Sequence, residues 1–319
     1  MRREMSGAVA RLSANSLRLT LSETLAIAST APKRYRVYTI KKRNGEDRTI
    51  CHPSRELKAL QYVLIRNLLS KLPVHEAATA YVVGGSIRDN AERHAGGRVI
   101  YKLDFRGFFP SITSGDWAAY ARQFLPMMTA EDIRFTQNVL FWGEGEVSPK
   151  SLSIGAPSSP YLSNALMYRF DKSVTDACIE LGITYSRYAD DLTFSSKGHL
   201  DKASIRNVIR SAIGAGGIPR LSLNEDKTVL VSNGTRRRIT GLIVTNEGTV
   251  SLGRDRKRLI SSMVDHARKG DLPMEGLPTL RGWLAFAKDV EPAFIQRLEG
   301  KYTADLISRL LKHEPLDRD

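Results

Sequence analysis

The chain has 319 residues, 42% of them hydrophobic, with 48 Lys and Arg against 34 Asp and Glu, a formal charge of +14 and a pI near 9.8. That balance favours a polyanionic partner, nucleic acid before anionic membrane surface, and the length suggests two or three sub-domains around a real core. No apolar run approaches the ~18 residues of a membrane helix, Arg11, Arg18 and Glu23 interrupt any signal-like stretch before Ala31, and the distant Cys51 and Cys178 indicate neither a disulfide scaffold nor a zinc site. A cytoplasmic protein with no membrane partner is therefore expected.

In chain order, residues 1 to about 31 carry loosely helical spacing and predict one or two short helices. From Tyr35 to Ile40 the pattern becomes a strand, Lys42 to Glu46 a turn, and Arg48 to Cys51 a return strand, giving a basic hairpin. Pro53-Ser54 starts a helix with Leu57, Leu60, Val63, Leu64 and Leu68 on one face. Such a hairpin and helix suit phosphate, with Arg48 able to make a two-pronged contact, or else the charges simply solvate the hairpin. Gly84-Gly85 and Gly96-Gly97 bracket Asn90 and His94, which lie one helical turn apart, the His either a structural hydrogen-bonder or a ligand contact.

Arg98 to Asp104 reads as a strand ending on a carboxylate, followed by Phe105, Phe108 and Phe109. Strand ends that deliver an Asp to a cleft are common places for chemistry. A helical stretch is expected from about Asp116 to Phe141. The loop Ser153 to Asn164 is made rigid by Pro157 and Pro160, while Gly155 permits close backbone approach. One helix with Leu162, Leu166, Phe170, Val174 and Cys178 on a core stripe follows it.

The most telling stretch is Tyr188-Ala189-Asp190-Asp191, set between two runs rich in β-branched and aromatic residues. It predicts a hairpin with both carboxylates at its turn. Adjacent carboxylates repel, so either the pair is a solvated turn or a hard divalent cation sits between them and another ligand. Beyond it, residues 201 to 213 predict a helix, a glycine-rich turn precedes Leu221 to Thr228, and Arg236 to Val244 predict a basic strand. Arg254, Arg256, Lys257 and Arg258 open a helix with an apolar stripe, a reasonable phosphate-contact surface in so basic a chain.

Taken together, strand-terminal Asp104 with its aromatic residues, the Gly155-Ala156-Pro157 loop, the Tyr-Ala-Asp-Asp hairpin, the Asn224 to Lys227 segment and the basic strand after it resemble the successive motifs of reverse transcriptases. The resemblance spans roughly residues 34 to 290. Asn90-Ala-Glu-Arg-His94 is similar to the Asn-Ala-x-x-His signature of bacterial retron reverse transcriptases, and Ile239-Thr240-Gly241 to their Val-Thr-Gly signature. Ile154 stands where many relatives carry Gln, so no polar side-chain contact to nucleotide is expected from that position.

The resemblance implies an α+β chain with a right-hand polymerase fold: an N-terminal helical extension (1–33), fingers (34–97), a palm of antiparallel sheet plus helices (98–245, with a fingers-type helical insertion at about 114–150) and a helical thumb (246–319). It implies two Mg²⁺ ions, for which Mn²⁺ can substitute, held by Asp104, Asp190 and Asp191 with the Phe105 carbonyl as a further ligand. Arg48, Phe109, Gly155, Ala156, Pro157 and Lys227 would bind the incoming deoxynucleoside triphosphate, with the Phe109 ring excluding a ribose 2′-OH. Asn90, His94, Thr240, Gly241, Arg254, Arg256, Lys257 and Arg258 would meet RNA. The implied partner is a structured non-coding RNA serving as template and 2′-OH primer, its branched RNA–DNA product remaining bound, with a separately encoded effector protein in phage defence. Other bacterial reverse transcriptases, of group II intron or diversity-generating type, and a non-catalytic RNA-binding scaffold are the alternatives.

Overall fold

A computed structural model describes residues 7–42, 45–143, 150–214, 219–232 and 235–312. The chain divides into two compact units. One comprises residues 1–85, 101–194 and 200–229; the other comprises 86–100, 195–199 and 230–319.

The first unit begins with two helices, α1 (Ala8–Leu17) and α2 (Leu21–Thr30), the second opened by a capping box in which Thr20 and Glu23 satisfy each other's backbone N–H groups. The hairpin β1 (Tyr35–Lys41) and β2 (Asp47–Pro53) pairs antiparallel from Tyr35 opposite Pro53 to Lys41 opposite Asp47. Ser54 then caps α3 (Arg55–Asn67), whose Leu57, Leu60 and Leu64 are fully buried.

The expected helix from Asp116 to Phe141 is two helices, α6 (Ser114–Phe124) and α7 (Ala130–Leu140). Pro126 cannot continue a helix, and Thr129 with Asp132 starts a new one through its own capping box. Likewise the apolar stripe after Pro157 belongs to α8 (Ser159–Leu166) and α9 (Tyr168–Glu180), interrupted at Met167. The stripe nevertheless stays on the buried side, with Leu162, Leu166, Phe170, Val174 and Cys178 all in the core.

The strands β3 (Val99–Asp104), β4 (Thr184–Tyr188), β5 (Asp191–Ser196) and β6 (Val229–Ser232) form one sheet in the order β4-β5-β3-β6. A short helix, α5 (Phe108–Ser111), follows β3, and α10 (Lys202–Gly214) packs on α9. Most of the glycine-rich turn expected before Leu221 lies outside the described residues.

The second unit has its own core. Helix α4 (Ile87–Arg93) packs beside a three-stranded sheet of β7 (Arg237–Ile239), β8 (Leu242–Val244) and β9 (Val250–Ser251). The run from Arg236 to Val244, expected as one strand, is thus a hairpin. Thr240 and Gly241 carry φ of 45° and 85°, the double left-handed geometry of a two-residue turn that matches strand twist. Helices α11 (Arg254–Arg268), α12 (Gly276–Val290), α13 (Pro292–Tyr302) and α14 (Ala304–Lys312) complete it, burying Ile260, Val264, Leu280, Leu284, Leu298 and Leu310 together. Among the described residues no helix is long and apolar enough to cross a membrane.

Candidate active site

Strand β3 delivers Asp104 at its last residue, and β5, its neighbour in the sheet, begins with Asp191. The turn between β4 and β5 consists of Ala189, at φ 58°, and Asp190. Adjacent strands therefore bring to one edge carboxylates that lie far apart in sequence. The Phe105 N–H donates to the Asp190 carbonyl at 3.1 Å and locks the two chain segments together.

On its other side Asp104 is held by the segment 221–227. The Asn224 N–H donates to the Asp104 carbonyl at 2.7 Å and Arg106 N–H to the Ser222 carbonyl at 2.9 Å. A 3₁₀ turn, Glu225–Lys227, then carries the Lys227 ammonium onto both carboxylate oxygens of Asp104, at 2.9 and 3.0 Å. Asn224 Nδ2 adds a longer contact at 3.4 Å.

The electrostatics follow from crowding. Burial, then the charges of Asp104 and Asp191, push the Asp190 carboxyl up to about 6. Burial also raises Asp191; Lys102 opposes this, while Asp104 adds to it through charge and a direct carboxyl contact. Burial works against the Lys227 ammonium, but the bond to Asp104 and the neighbouring carboxylates outweigh it and hold Lys227 more firmly protonated. Each shift says that negative charge here is under-compensated.

Among the described residues no three His, Cys, Asp or Glu side chains form a ready-made metal cage. The donor set still fits a hard divalent cation: three carboxylates with unfavourable mutual charge, one of them already gripped by a cationic side chain. The Phe105 ring is core, stacked on Phe108 at 6.0 Å and edge-on to Phe170 at 5.5 Å.

The Gly155-Ala156-Pro157 loop docks on the basic hairpin. The Cys51 N–H donates to the Ile154 carbonyl at 2.9 Å, and a Cβ at Gly155, whose φ is 122°, would stand 3.1 Å from both the Cys51 carbonyl and the Ile50 side chain. Glycine is the residue this close approach requires. A cleft of about 290 Å³ runs between this loop and the Phe109 ring, with Lys58, Tyr62 and Tyr81 on its walls. Arg48 lies exposed on β2.

In the second unit the expected RNA contacts divide. Asn90 and His94 are fully buried, and His94 Nδ1 lies 2.7 Å from the Ser195 hydroxyl. Burial of both side chains favours the structural hydrogen-bonding role for this pair. Thr240 donates its hydroxyl to the Ile87 carbonyl at 3.1 Å and ties the β7–β8 turn to α4, while Gly241 lies exposed. Of the four cations that open α11, Arg254 and Arg258 are exposed. Arg256 lies over the rings of Trp283 and Phe286 at 5.2 and 5.5 Å, and Lys257 pairs with Glu291 at 2.6 Å.

Three residues that sequence reasoning passed over buttress the hairpin. Arg187, fully buried, donates Nε to Asp171 Oδ1 at 2.8 Å and Nη2 to Asp171 Oδ2 at 2.6 Å. Its Nη1 donates to Asn164 Oδ1 at 3.2 Å and to the Ala189 carbonyl at 3.0 Å. The signal was available: an Arg between Tyr185 and Phe194 in an otherwise buried hairpin needs a buried acid, and Asp171 sits within the apolar stripe of α9.

Residues 40–250, more than half of the chain, match the family described as Reverse transcriptase (RNA-dependent DNA polymerase). The match identifies this chain of mixed helix and sheet as an RNA-directed DNA polymerase. The chain is 38% identical over 282 residues to Retron Ec83 reverse transcriptase of Escherichia coli, covering 88% of this chain and 90% of that one. It is 33% identical over 305 residues to Retron Ec86 reverse transcriptase of the same organism (92% and 88%), and 35% identical over 288 residues to Retron Mx162 reverse transcriptase of Myxococcus xanthus, of whose length it spans 58%. This chain belongs to the retron reverse transcriptases. A telomerase structure from Candida albicans aligns with 88% of it at 13% identity and a TM-score of 0.45, over 55% of the telomerase chain.

Proposed function

We propose that this retron-type polymerase reverse-transcribes part of a cognate structured RNA, priming from an RNA 2′-OH and leaving a branched RNA–DNA product, in a cytoplasmic phage-defence system with a separate effector. The meeting of Asp104 with Asp190 and Asp191 beside Lys227 carries the catalytic part of this reading. Asp104, Asp190 and Asp191 would hold two divalent ions, Mg²⁺ or Mn²⁺, with the Phe105 carbonyl. When bound, the ions lower the pKa of the primer hydroxyl and neutralise charge on the leaving pyrophosphate.

The chain's own residues do the positioning, which is most of the catalysis in phosphoryl transfer. Lys227, on both Asp104 carboxylate oxygens, holds that side chain aimed. Arg48 pairs with the triphosphate, the Gly155-Ala156-Pro157 backbone flanks the nucleotide, and the Phe109 ring stands where a ribose 2′-OH would clash. Exposed Arg254 and Arg258, with Gly241 nearby, would contact RNA phosphates in the thumb (246–319). The fingers (34–97), the palm (98–245, with the 114–150 insertion) and the 1–33 extension are the matching functional divisions.

Primer extension on a generic RNA template tests the site. Asp104→Asn, Asp190→Asn and Asp191→Asn should each abolish incorporation, and wild-type rates in these variants would refute the assignment. The nucleic acid that co-purifies with wild-type protein tests the RNA reading: a branched RNA–DNA species is expected, and unbranched, heterogeneous RNA would count against it.

A further inference from the structure

Tyr81 adopts φ 61°, a left-handed conformation that is a genuine outlier for a bulky residue and persists only where the surroundings over-determine it. Both sides of Tyr81 are pinned. Before it, the Arg187 N–H donates to the Ala77 carbonyl at 2.7 Å and the Thr79 N–H to the Arg187 carbonyl at 2.8 Å, while Asn164 Nδ2 donates to the Ala80 carbonyl at 2.8 Å. After it, a turn closes through the Gly85 N–H and the Val82 carbonyl at 3.1 Å.

The pinned backbone sends the Tyr81 ring, half-exposed at 48%, to within 6.5 Å of the Phe109 ring at a tilt of 51°. Both rings wall the cleft whose far side is the Gly155 loop. Ser153 and Ser159 line the same cleft, and their buried hydroxyls have no hydrogen-bond partner among the described residues. Aromatic faces opposite unsatisfied hydroxyls suit a sugar, which is apolar on its faces and hydrogen-bonding at its edge. Burial, then the charge of Asp190, raise the Tyr81 phenol, and Arg48 opposes them.

We infer that Tyr81 is a specificity-determining residue for the incoming nucleotide, its ring bracing Phe109 so that the pair together excludes a ribose 2′-OH. This rests on the reading that Phe109 faces the sugar. The strained backbone is then the means of placing the second ring, and the phenol oxygen is dispensable.

The ratio of kcat/KM for deoxynucleotide against ribonucleotide decides it. An aromatic pair contributes enough to make the expected loss of discrimination roughly threefold to tenfold in Tyr81→Gly and Tyr81→Asn. Tyr81→Phe should keep the wild-type ratio. Gly and Asn both accept positive φ, so neither should unfold at a lower temperature than wild type, and a selective loss of discrimination cannot then be put down to misfolding. Phe109→Val serves as the reference. Relaxed discrimination in Phe109→Val but a wild-type ratio in both Tyr81→Gly and Tyr81→Asn overturns the inference and leaves the Phe109 reading standing. Unchanged discrimination in Phe109→Val removes that reading, and the inference with it.

Discussion

Removing Arg187 is the severest test of how the carboxylate hairpin is held. The guanidinium and the Asp171 carboxylate are both fully buried, and the same carboxylate also accepts from the Tyr185 hydroxyl at 2.9 Å. Arg187→Met fills the volume but strands Asp171 as an uncompensated buried charge, so unfolding of the first unit should become easier by about 3–5 kcal/mol. Adding Asp171→Asn removes that charge while leaving an oxygen for Tyr185, and the double variant should recover about 2 kcal/mol as coupling energy. The chain has three tryptophans, and Trp117 and Trp142 lie in the first unit. Urea unfolding followed by fluorescence in a Trp283→Phe background therefore reports on that unit alone. DNA synthesis should fall further than the folded fraction explains, because the Ala189 carbonyl loses its donor. An Arg187→Met cost under about 1 kcal/mol, or strictly additive single variants, would refute the reasoning.

Two pH predictions follow from the titrating groups. Asp190, raised from 3.8 to about 6, binds its proton more readily folded than unfolded, so its ionised form penalises folding above pH 6 and the penalty vanishes below pH 3.8. In EDTA, Asp190→Asn should therefore be more stable than wild type at pH 8, by at most about 3 kcal/mol before solvent screening is allowed for. The gain should fade by pH 4, and an equally or less stable variant at pH 8 would contradict it. His94 behaves oppositely. Burial, aided by Arg93, lowers it to about 3, so its contribution is present above the unfolded value near 6.5 and is lost as pH falls toward 3. Between pH 7.5 and 5 the second unit should lose about 2 kcal/mol, a slope that His94→Gln abolishes. Identical pH slopes in urea titrations of the two proteins would count against a buried neutral imidazole.

The elements most legible in the sequence were those with local causes. The basic hairpin and its following helix announced themselves through strand alternation, the Asn-Gly turn signal and the Ser54 cap. The carboxylate hairpin and the strand-terminal Asp104 were equally clear. Helix breaks were harder, because the stripe through Leu166 and Phe170 runs on across the interruption at Met167; the core constrains a face, not the continuity of the backbone. The Thr240–Gly241 turn was hidden in an apolar run because Thr rarely adopts positive φ. The pair Asn90 and His94 illustrates a different gap. Spacing put them on one face of a helix, but only tertiary packing decides whether that face meets solvent or Ser195. Arg187 and Asp171 left only a partial signal, an Arg in an otherwise buried hairpin, since the pairing itself exists only in the fold.

Residue 187 serves two masters at once. Its main chain stitches the 77–79 stretch alongside β4, and its guanidinium holds the Ala189 carbonyl at the hairpin turn. The Tyr81 side of the cleft and the carboxylate edge are thus linked through one amino acid. A register slip or single-residue insertion in β4 would displace both together, so change on that side of the cleft is easier in side chains on the frame than in loop length.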